Sequence, residues 1–462
     1  MREATLKPRG PSVMPVSSSS VVHSSQATNL IPISFATEPR GDRARVAPGD
    51  IAVGVVIGRA SEYFDFFVYG IASVLVFPAV FFPFVDALHG TLYAFALFAF
   101  AFIVRPIGTL AGMALQRRFG RGTKLTAALF LLGSSTVGMA LLPGYRSAGE
   151  LAIALLAMCR LGQGLALGGS WDGLPSLLAL NAPEKRRGWY AMLGQLGAPL
   201  GFIVACGLFG YLWSSLSSAD FLGWGWRFPF FVAFAINVVA LFARLRLVVT
   251  HEYERELQAH ELEPCNVRDL LAAQGHNVFI GAFAALASYA LFHLVTVFPL
   301  SWVALYSQHE IGQFLSVELA GAVLAAVAMP LSGIVADRIG RRSTLGYLAV
   351  LIALFSFVTP WLLDGGDSGQ DAFILVGFVL LGLSYGQAAG SVTSNFLPRF
   401  RYTGAALTAD LAWLIGAAFA PLVALALSAR FGLASVSLYL LSGTACTLLA
   451  LRASRAVSAV RD

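Results

Sequence analysis

The sequence predicts an all-α membrane protein in which twelve transmembrane helices form two pseudo-symmetric six-helix bundles. Three observations support this fold class: the composition, the number of long apolar runs, and the similarity of the two halves. Of the 462 residues, 57% are hydrophobic and 12% are charged, whereas a soluble domain carries about 25% charged residues. Because so few polar groups cannot cover a surface in water, we expect a lipid bilayer to be the solvent.

The apolar runs set the number of helices. A run of roughly eighteen or more apolar residues can cross the hydrocarbon core as a helix. Twelve such runs lie near residues 51–77, 88–113, 123–142, 150–178, 188–213, 226–247, 276–306, 314–336, 343–363, 371–396, 403–428 and 433–452.

The two halves repeat the same loop patterns in the same order. RPIGTLAGMALQRRFGR (105–121) follows the second run, and PLSGIVADRIGRR (330–342) follows the eighth. PEKRRG (183–188) follows the fourth run, and PRFRYTG (398–404) follows the tenth. Internal repeats of this kind mark transporter folds in which the substrate site lies near the membrane midplane.

The charge pattern predicts the orientation. Lys and Arg collect in alternate loops, and such loops face the cytoplasm. An even number of helices then leaves both termini cytoplasmic, in a multi-pass protein of the cell (inner) membrane. The same pattern argues against a nucleic-acid partner, because the basic residues are accounted for by membrane orientation. The predicted segments are a disordered cytoplasmic extension (1–48), a first bundle (49–247), a cytoplasmic linker (248–275), a second bundle (276–453) and a cytoplasmic tail (454–462).

Nine motifs resemble, in the correct order, those of the major facilitator superfamily, and more narrowly its metabolite:H+ symporter family. They are IGRASEYFDFFVYG (57–70), FIVRPIG (102–108), RLGQGLALGGSWDG (160–173), APEKRRG (182–188), QLGAPLG (195–201), GWRFPFF (225–231), GIVADRIGRR (333–342), YGQAAG (385–390) and RYTGAAL (401–407). The resemblance covers roughly residues 50 to 455. It implies alternating access and solute uptake coupled to protons.

The chain departs from the family pattern at several positions. Arg59 stands where the family usually has Asn, and Arg117 stands where it has the acidic residue of the loop between helices two and three. Ser170 replaces a Glu of helix four, with Asp172 two residues later, and Asp410 replaces a Gln of helix eleven. These changes bear on the substrate and on proton coupling.

Ionisable residues in the first apolar run are the leading functional candidates. Arg59, Glu62, Asp65 and Tyr69 recur every three or four residues, which places them on one side of a helix. A charge facing lipid is costly, so this side must face protein or water. One interpretation is an internal ion pair that only locks the helix. The other is that two acids facing one base leave a carboxylate free to carry a proton, with Asp65 the first candidate and Glu62 the second.

Further candidates come from helices four, seven and ten. Arg160 and Gln163 are one turn apart, and the resemblance places Arg160 at the cavity, where it binds an anionic solute or stabilises an acid. Tyr289 and His293 lie on one polar stripe with Thr296, although a hydrogen-bonded structural histidine is the simpler interpretation of His293. The resemblance also makes Tyr385 and Gln387 cavity residues. Together with Arg59 and Tyr69, these form the predicted substrate site. Asp172 is assigned to the cavity or to packing.

The resemblance implies a gate on the cytoplasmic side. Its predicted residues are Arg105, Asp337, Arg338, Arg341, Arg342 and Asp410, with Asp410 paired to a loop arginine. Because Arg117 replaces the acid in the first half, we expect the lock there to be weaker or rewired.

The prediction is therefore a proton-coupled uptake transporter for a small polar metabolite, an organic anion or a zwitterion. It is expected to be monomeric, to use no cofactor and to draw on the proton gradient. A proton-driven efflux carrier, an uncoupled facilitator and a non-transporting solute sensor are the alternatives. The sequence has no motif typical of an enzyme or a metal site, and its four cysteines are scattered singly.

Overall fold

The computed structural model describes residues 48–171, 178, 182–248, 263–388 and 396–459, and the regular elements in these ranges are all helices. The predicted N-terminal extension up to residue 47, residues 249–262 of the predicted linker, the last three residues of the tail and Asp172 lie outside the described residues.

Ten helical segments of the described ranges are long and apolar enough to cross a membrane. Two more helices, Pro48–Leu75 and Arg121–Ala140, occupy the positions of the first and third predicted runs. In chain order we number them span 1 (Pro48–Leu75), span 2 (Ala87–Phe119), span 3 (Arg121–Ala140), span 4 (Glu150–Gly169), span 5 (Arg187–Ser215), span 6 (Gly225–Phe242), span 7 (Val267–Tyr306), span 8 (Ile311–Ile339), span 9 (Arg341–Asp364), span 10 (Gly366–Tyr385), span 11 (Pro398–Phe431) and span 12 (Ala434–Ser454).

Several spans consist of more than one helix. Span 5 contains Arg187–Leu193 and Gly197–Ser215, and span 6 contains a 3-10 turn, Gly225–Arg227, followed by Phe228–Val248. Span 7 contains three helices, Val267–Ala284, Leu286–Thr296 and Phe298–Tyr306. Span 11 contains Pro398–Gly416 and Ala420–Phe431, and the last helix is Ala434–Ala459. Short helices between spans are Phe77–Phe81, Tyr145–Ala148, the 3-10 turn Glu184–Arg186, and Ser218–Gly223. Pro299 and Pro421 lie in the first turn of the pieces that follow two of these breaks, where proline's missing N–H costs least.

The sequence repeat between the halves is also a structural repeat. Span 2 ends at Gly120 and span 8 ends at Gly340, and these glycines have φ values of 85° and 84°. Only glycine adopts this left-handed region at no steric cost, so the same turn leads into span 3 and into span 9. We call the side of the protein that carries these two turns the basic side, because Arg117, Arg118 and Arg338 lie beside them.

Helix packing forms two bundles that meet along two seams. Span 1 packs against spans 5 and 6, and span 2 packs against span 4; in the second half, span 8 packs against span 10 and span 9 against span 12. Between the bundles, span 5 packs against span 8, and span 2 packs against span 11. Close approach depends on glycine: a Cβ at Gly108 would overlap the backbone of Leu165. Small residues have this role at helix contacts in lipid.

Candidate functional site

An ion pair on span 1 lies at the junction of the two bundles. Arg59 Nη1 is 2.7 Å from Glu62 Oε2, one turn along the helix. Ser170 at the end of span 4 donates a hydrogen bond to Glu62 Oε1 at 3.2 Å. The guanidinium of Arg59 also lies 5.3 Å from the centre of the Tyr63 ring. The predicted pairing of Arg59 with one of the two acids is therefore made with Glu62.

Asp65 faces away from this ion pair, toward the interior of the first bundle. Its carboxylate accepts hydrogen bonds from Thr136 at 2.7 and 2.8 Å, from Gln163 at 3.0 Å and from Asn237 at 3.3 Å. These donors come from spans 3, 4 and 6, so Asp65 of span 1 joins four helices. The sequence placed both acids on one side of span 1, but their carboxylates face different directions. Each three-residue step turns a helix by about 300°, so successive side chains at this spacing are displaced by about 60° and the displacement adds up along the span.

Arg160 is fully buried behind the same carboxylate. It donates to the backbone oxygen of Phe98 at 3.1 and 3.2 Å and to Gln163 Oε1 at 2.9 Å. Its guanidinium lies 4.1 Å from the centre of the Tyr69 ring, a cation–π distance. Gln163 accepts from Arg160 and donates to Asp65, so it links the buried cation to the buried anion.

A small pocket of about 30 Å³ lies between the bundles beside the ion pair. Its lining comes from spans 1, 2, 4 and 11: Arg59, Glu62, Tyr63, Phe66, Phe102, Arg105, Leu167 and Trp413. A pocket of this size holds water but no metabolite. A solute can therefore enter this pocket only when the helices that line it move apart.

Aromatic rings surround the pocket and connect the two bundles. The hydroxyls of Tyr63 and Tyr385 share a hydrogen bond between span 1 and span 10. Tyr289 packs its ring edge against Tyr385 and against Trp413, with ring centres 5.6 and 5.1 Å apart. The predicted cavity residues Tyr289 and Tyr385 thus lie together in one aromatic cluster.

His293 lies within the same cluster and is fully buried. Its ring centre is 5.1 Å from that of Phe66 and 5.2 Å from that of Phe98. Neither ring nitrogen has a hydrogen-bond partner among the described residues. The simpler interpretation, a histidine held by hydrogen bonds, does not describe this side chain.

Gln387 lies outside the aromatic cluster. It donates to the backbone oxygen of Gly188 at 3.3 Å and to Ser332 Oγ at 3.2 Å. These contacts place it in the seam between spans 5 and 8, beside the predicted gate residue Asp337.

Three contacts hold the bundles together toward the basic side. In the first, Arg105 Nε of span 2 lies 2.9 Å from Asp410 Oδ1 of span 11, and Thr109 donates to Asp410 Oδ2 at 2.6 Å. The expectation that Asp410 pairs with a loop arginine is wrong, because its partner lies within span 2. Both side chains are almost completely buried.

In the second contact, Asp337 at the end of span 8 accepts from the backbone N–H groups of Gly188 and Trp189, at 2.6 and 3.2 Å. It thereby caps the first turn of span 5, where N–H groups lack helical partners. Of the neighbouring predicted gate residues, Arg338 is exposed, and Arg341 and Arg342 are half-buried in the first turn of span 9.

The third contact occupies the place where the sequence predicted a weaker or rewired lock. Lys124 of span 3 donates to Gln116 Oε1 at 2.8 Å, to Tyr402 OH of span 11 at 2.9 Å, and to the backbone oxygen of Trp171. Tyr402 donates in turn to that oxygen at 2.8 Å. Arg117 takes no part in these hydrogen bonds.

Sequence reasoning missed several residues of this site. Thr136, Asn237 and Trp413 are ordinary side chains in apolar runs and carry no separate signal. Gln116 and Tyr402 lie in the loop motifs 105–121 and 401–407, where the basic residues give the stronger signal. Glu318 did carry one, because it is a single acid within the apolar run of span 8, and an ionisable residue at such a place is a functional candidate.

This fold, with two six-helix halves closing on a buried polar site, defines a multi-pass membrane transport protein, and comparisons with known proteins give the family. The family model described as Major Facilitator Superfamily matches residues 63–421. The chain belongs to the Major Facilitator Superfamily. The family and the relatives described below are transport proteins, which supports the prediction that the chain is not an enzyme.

Curated relatives cover most of the chain. It is 36% identical to "Inner membrane metabolite transport protein YhjE" of Escherichia coli (strain K12), over 87% of this chain and 92% of that protein. It is 30% identical to "Shikimate transporter" of the same organism, over 85% of this chain and 91% of that protein. It is 25% identical to a "Proline/betaine transporter" of E. coli, over 78% of this chain and 74% of that protein.

Solved structures agree on the fold. The chain superposes on the structure titled "Crystal structure of D-xylose-proton symporter" with a TM-score of 0.67, at 18% identity, over 87% of this chain and 96% of that chain. The predicted fold class and superfamily are thus confirmed. The relatives also support an integral inner-membrane location.

Proposed function

We propose that the protein is a proton-coupled uptake transporter for a small carboxylate-bearing metabolite, an anion or a zwitterion. In this proposal the basic side faces the cytoplasm, both termini are cytoplasmic, the monomer is the transporting unit, and the proton gradient drives uptake without a bound cofactor. The observation that carries the proposal is the Arg59–Glu62 ion pair, which lines the pocket between the bundles.

Charge balance in the pocket supplies the coupling. Arg59 is neutralised by Glu62, and the neighbouring Arg105 is neutralised by Asp410. A solute carboxylate that binds Arg59 must displace Glu62, and leaving the freed carboxylate ionised in this largely buried site is costly. Protonation of Glu62 removes that cost. One proton therefore accompanies one solute carboxylate through the closed state.

The geometry favours Glu62 over Asp65 as the group that takes this proton, which reverses the order favoured by the sequence. Glu62 lines the pocket and pairs with the base that the solute would bind. Asp65 is buried behind it, where three neutral donors stabilise its ionised form. We assign Asp65 to holding spans 1, 3, 4 and 6 together.

Arg160 is assigned to the same buried network and not to the solute. It does not line the pocket, and its donors are directed to Phe98 and Gln163. Arg59 is then the cation offered to the solute, and the neighbouring rings of Tyr63 and Trp413 provide aromatic surface in the same pocket. Such a lining suits a compact metabolite that has one carboxylate and an apolar or ring-shaped body.

Alternation between the two faces uses the contacts toward the basic side. The Arg105–Asp410 pair, the Asp337 cap and the Lys124–Tyr402 hydrogen bond must all break before the site opens there. Each contact joins one bundle to the other, as a rocking motion of two halves about a central site requires.

A ligand screen followed by transport tests the proposal. Purified protein is heated with shikimate, proline, glycine betaine, pipecolic acid or D-xylose, since a ligand that binds only the folded form raises the melting temperature. At least one carboxylate should raise it and uncharged D-xylose should not. That carboxylate should then accumulate in proteoliposomes against its gradient when the outside is acidic, and an uncoupler should abolish the accumulation. Stabilisation by D-xylose alone, or accumulation insensitive to the uncoupler, contradicts the proposal.

A further inference from the structure

Glu318 is a buried acid that the proposed mechanism does not use. It lies on span 8 and is fully buried, and neither carboxylate oxygen has a hydrogen-bond partner among the described residues. Asp65, an acid buried about as deeply in the first bundle, accepts hydrogen bonds from three side chains. The contrast is between an acid held in a polar network and an acid that is buried without a hydrogen-bond partner among the described residues.

The surroundings of Glu318 belong to a seam between the bundles. Cys206 of span 5 is buried, donates to the backbone oxygen of Leu315 at 3.1 Å, and is close enough to Glu318 for an electrostatic interaction. Farther along the same helices, Gly207 faces Leu319 and Gly210 faces Leu315. We call the part of the contact between spans 5 and 8 around Cys206, Leu315 and Glu318 the far seam, since it lies on the half of the protein opposite the basic side.

Few charged groups face Glu318. Among the described residues of the helices packed against span 8, Cys206 is the titratable group that interacts with it. On span 10, Phe378 and Ile374 pack against the adjacent turn of span 8. The acids at the start of span 10, Asp367 and Asp371, lie within 3.9 Å of His309 in the loop before span 8. No cation of the described residues compensates Glu318.

An ionised carboxylate in such a place is strongly disfavoured, and the group takes up a proton instead. We propose that Glu318 is a proton-binding site that controls the far seam: it is protonated when spans 5 and 8 are closed and ionises when the seam opens to water. Closure of the far seam is thereby linked to uptake of one proton.

This linkage has a defined sign and size. Because the closed form holds a proton that the open form loses, raising the pH favours the open form. One linked proton changes the open-to-closed ratio by up to about tenfold per pH unit. The inference depends on the proposed alternation between two faces, but not on proton transfer at Glu62.

Cys206 provides a reporter for the test. In a chain whose other cysteines, Cys159, Cys265 and Cys446, are replaced by Ser, the Cys206 thiol is buried in the closed seam and should react with a water-soluble maleimide only when the seam opens. The labelling rate is measured against pH in nanodiscs, for this chain and for the same chain with Glu318→Gln. Cys206→Ala gives the background.

Dividing the two rates at each pH removes the ordinary pH dependence of thiol reactivity. The proposal expects the ratio of wild-type to Glu318→Gln labelling to be near one at low pH and to rise by up to about tenfold per pH unit. If ionisation of Glu318 is not linked to opening of the far seam, this ratio should stay flat or fall as the pH rises, because the negative charge of Glu318 then only disfavours the Cys206 thiolate. A ratio that is flat or falls with pH overturns the inference.

Two further variants keep the result decisive. In a Glu62→Gln background the rising ratio should persist, so failure of the proposed coupling at Glu62 and failure of this inference are distinguishable. If Glu318→Gln does not fold, Glu318→Asp is compared by infrared spectroscopy, where the carbonyl band of a protonated carboxylic acid should shift relative to wild type. An unshifted band overturns the inference.

Discussion

Arg105 of span 2 and Asp410 of span 11 form an ion pair of 2.9 Å between the two bundles. Both side chains are almost completely buried, and Thr109 donates a further hydrogen bond to Asp410. Removing one member of a buried pair leaves the other charge uncompensated and typically costs about 3–5 kcal/mol. A variant that lacks only one of the two charges should therefore be destabilised in the closed conformation.

We predict that Asp410→Asn lowers the melting temperature of the purified protein markedly, because Arg105 stays buried without its counter-charge. The double variant Arg105→Gln/Asp410→Asn removes both charges and should recover part of the loss. Thermal unfolding in a mild detergent measures both. A single variant as stable as wild type would show that the pair is unimportant for the closed state.

The hydrogen bonds to Asp65 make a second prediction. Thr136→Val removes a donor that reaches both oxygens of the Asp65 carboxylate. Because a hydrogen bond to a charged group contributes about 1.5–3 kcal/mol to the free energy of unfolding, this variant should be less stable by about that amount. Ser134 is a matched control, since it lies on the same helix, is exposed, and bonds only to its own backbone turn. Ser134→Ala should change stability by less than about 0.5 kcal/mol. Equal melting temperatures for the two variants would contradict the role of the Asp65 network.

The Lys124–Tyr402 contact leads to a third prediction, which concerns opening of the two bundles on the basic side. Lys124→Met leaves the Tyr402 hydroxyl and Gln116 without their shared donor, so the start of span 11 should separate more often from spans 2 and 3. Hydrogen–deuterium exchange of the peptide around residues 398–410 should become faster. Lys185→Met, at an exposed lysine of the loop before span 5, should leave that exchange unchanged; the same rate in both variants would be evidence against the lock.

Helix contact through glycine gives a fourth prediction. A Cβ at Gly168 would overlap the backbone of Arg105, whereas a Cβ at Gly122 would meet no atom within 4 Å. Gly168→Ala should therefore cost about 1–3 kcal/mol or more through overpacking, and Gly122→Ala should be neutral or stabilising, because alanine is the better helix former. Size-exclusion profiles and melting temperatures compare the two. If Gly168→Ala behaves like Gly122→Ala, spans 2 and 4 are not in close contact.

The sequence predicted the helices and the repeat because both depend on local patterns. Hydropathy marks each span, and the glycines at residues 120 and 340 mark equivalent turns. The prediction left open which acid meets Arg59, although Glu62 is three residues away, within reach on one helix, and Asp65 is six residues away. The choice depends on donors from spans 3, 4 and 6, which approach Asp65 only in the folded protein.

Contacts between distant helices also explain why the gate was only partly predicted. Arg117 indicated that the lock of the first half would differ from the family pattern. The hydrogen bonds found there instead join Lys124, Gln116 and Tyr402, and they depend on three helices that meet only in the folded protein. Asp410 and Arg105 were both predicted as gate residues, but their pairing was not, because they lie about three hundred residues apart in sequence and on different bundles. Pairwise contacts between bundles leave no periodic pattern in a single sequence.

The central claim is that Glu62 takes up a proton when a solute carboxylate binds Arg59, and the pH dependence of solute affinity tests it most directly. Using the carboxylate identified by the thermal screen, binding is titrated calorimetrically at several pH values for wild type, Glu62→Gln and Asp65→Asn. We expect affinity in wild type and in any folded Asp65→Asn protein to weaken as the pH rises, by up to about tenfold per pH unit. We expect Glu62→Gln to bind with an affinity independent of pH. A pH dependence that survives in Glu62→Gln and disappears in Asp65→Asn would contradict the account.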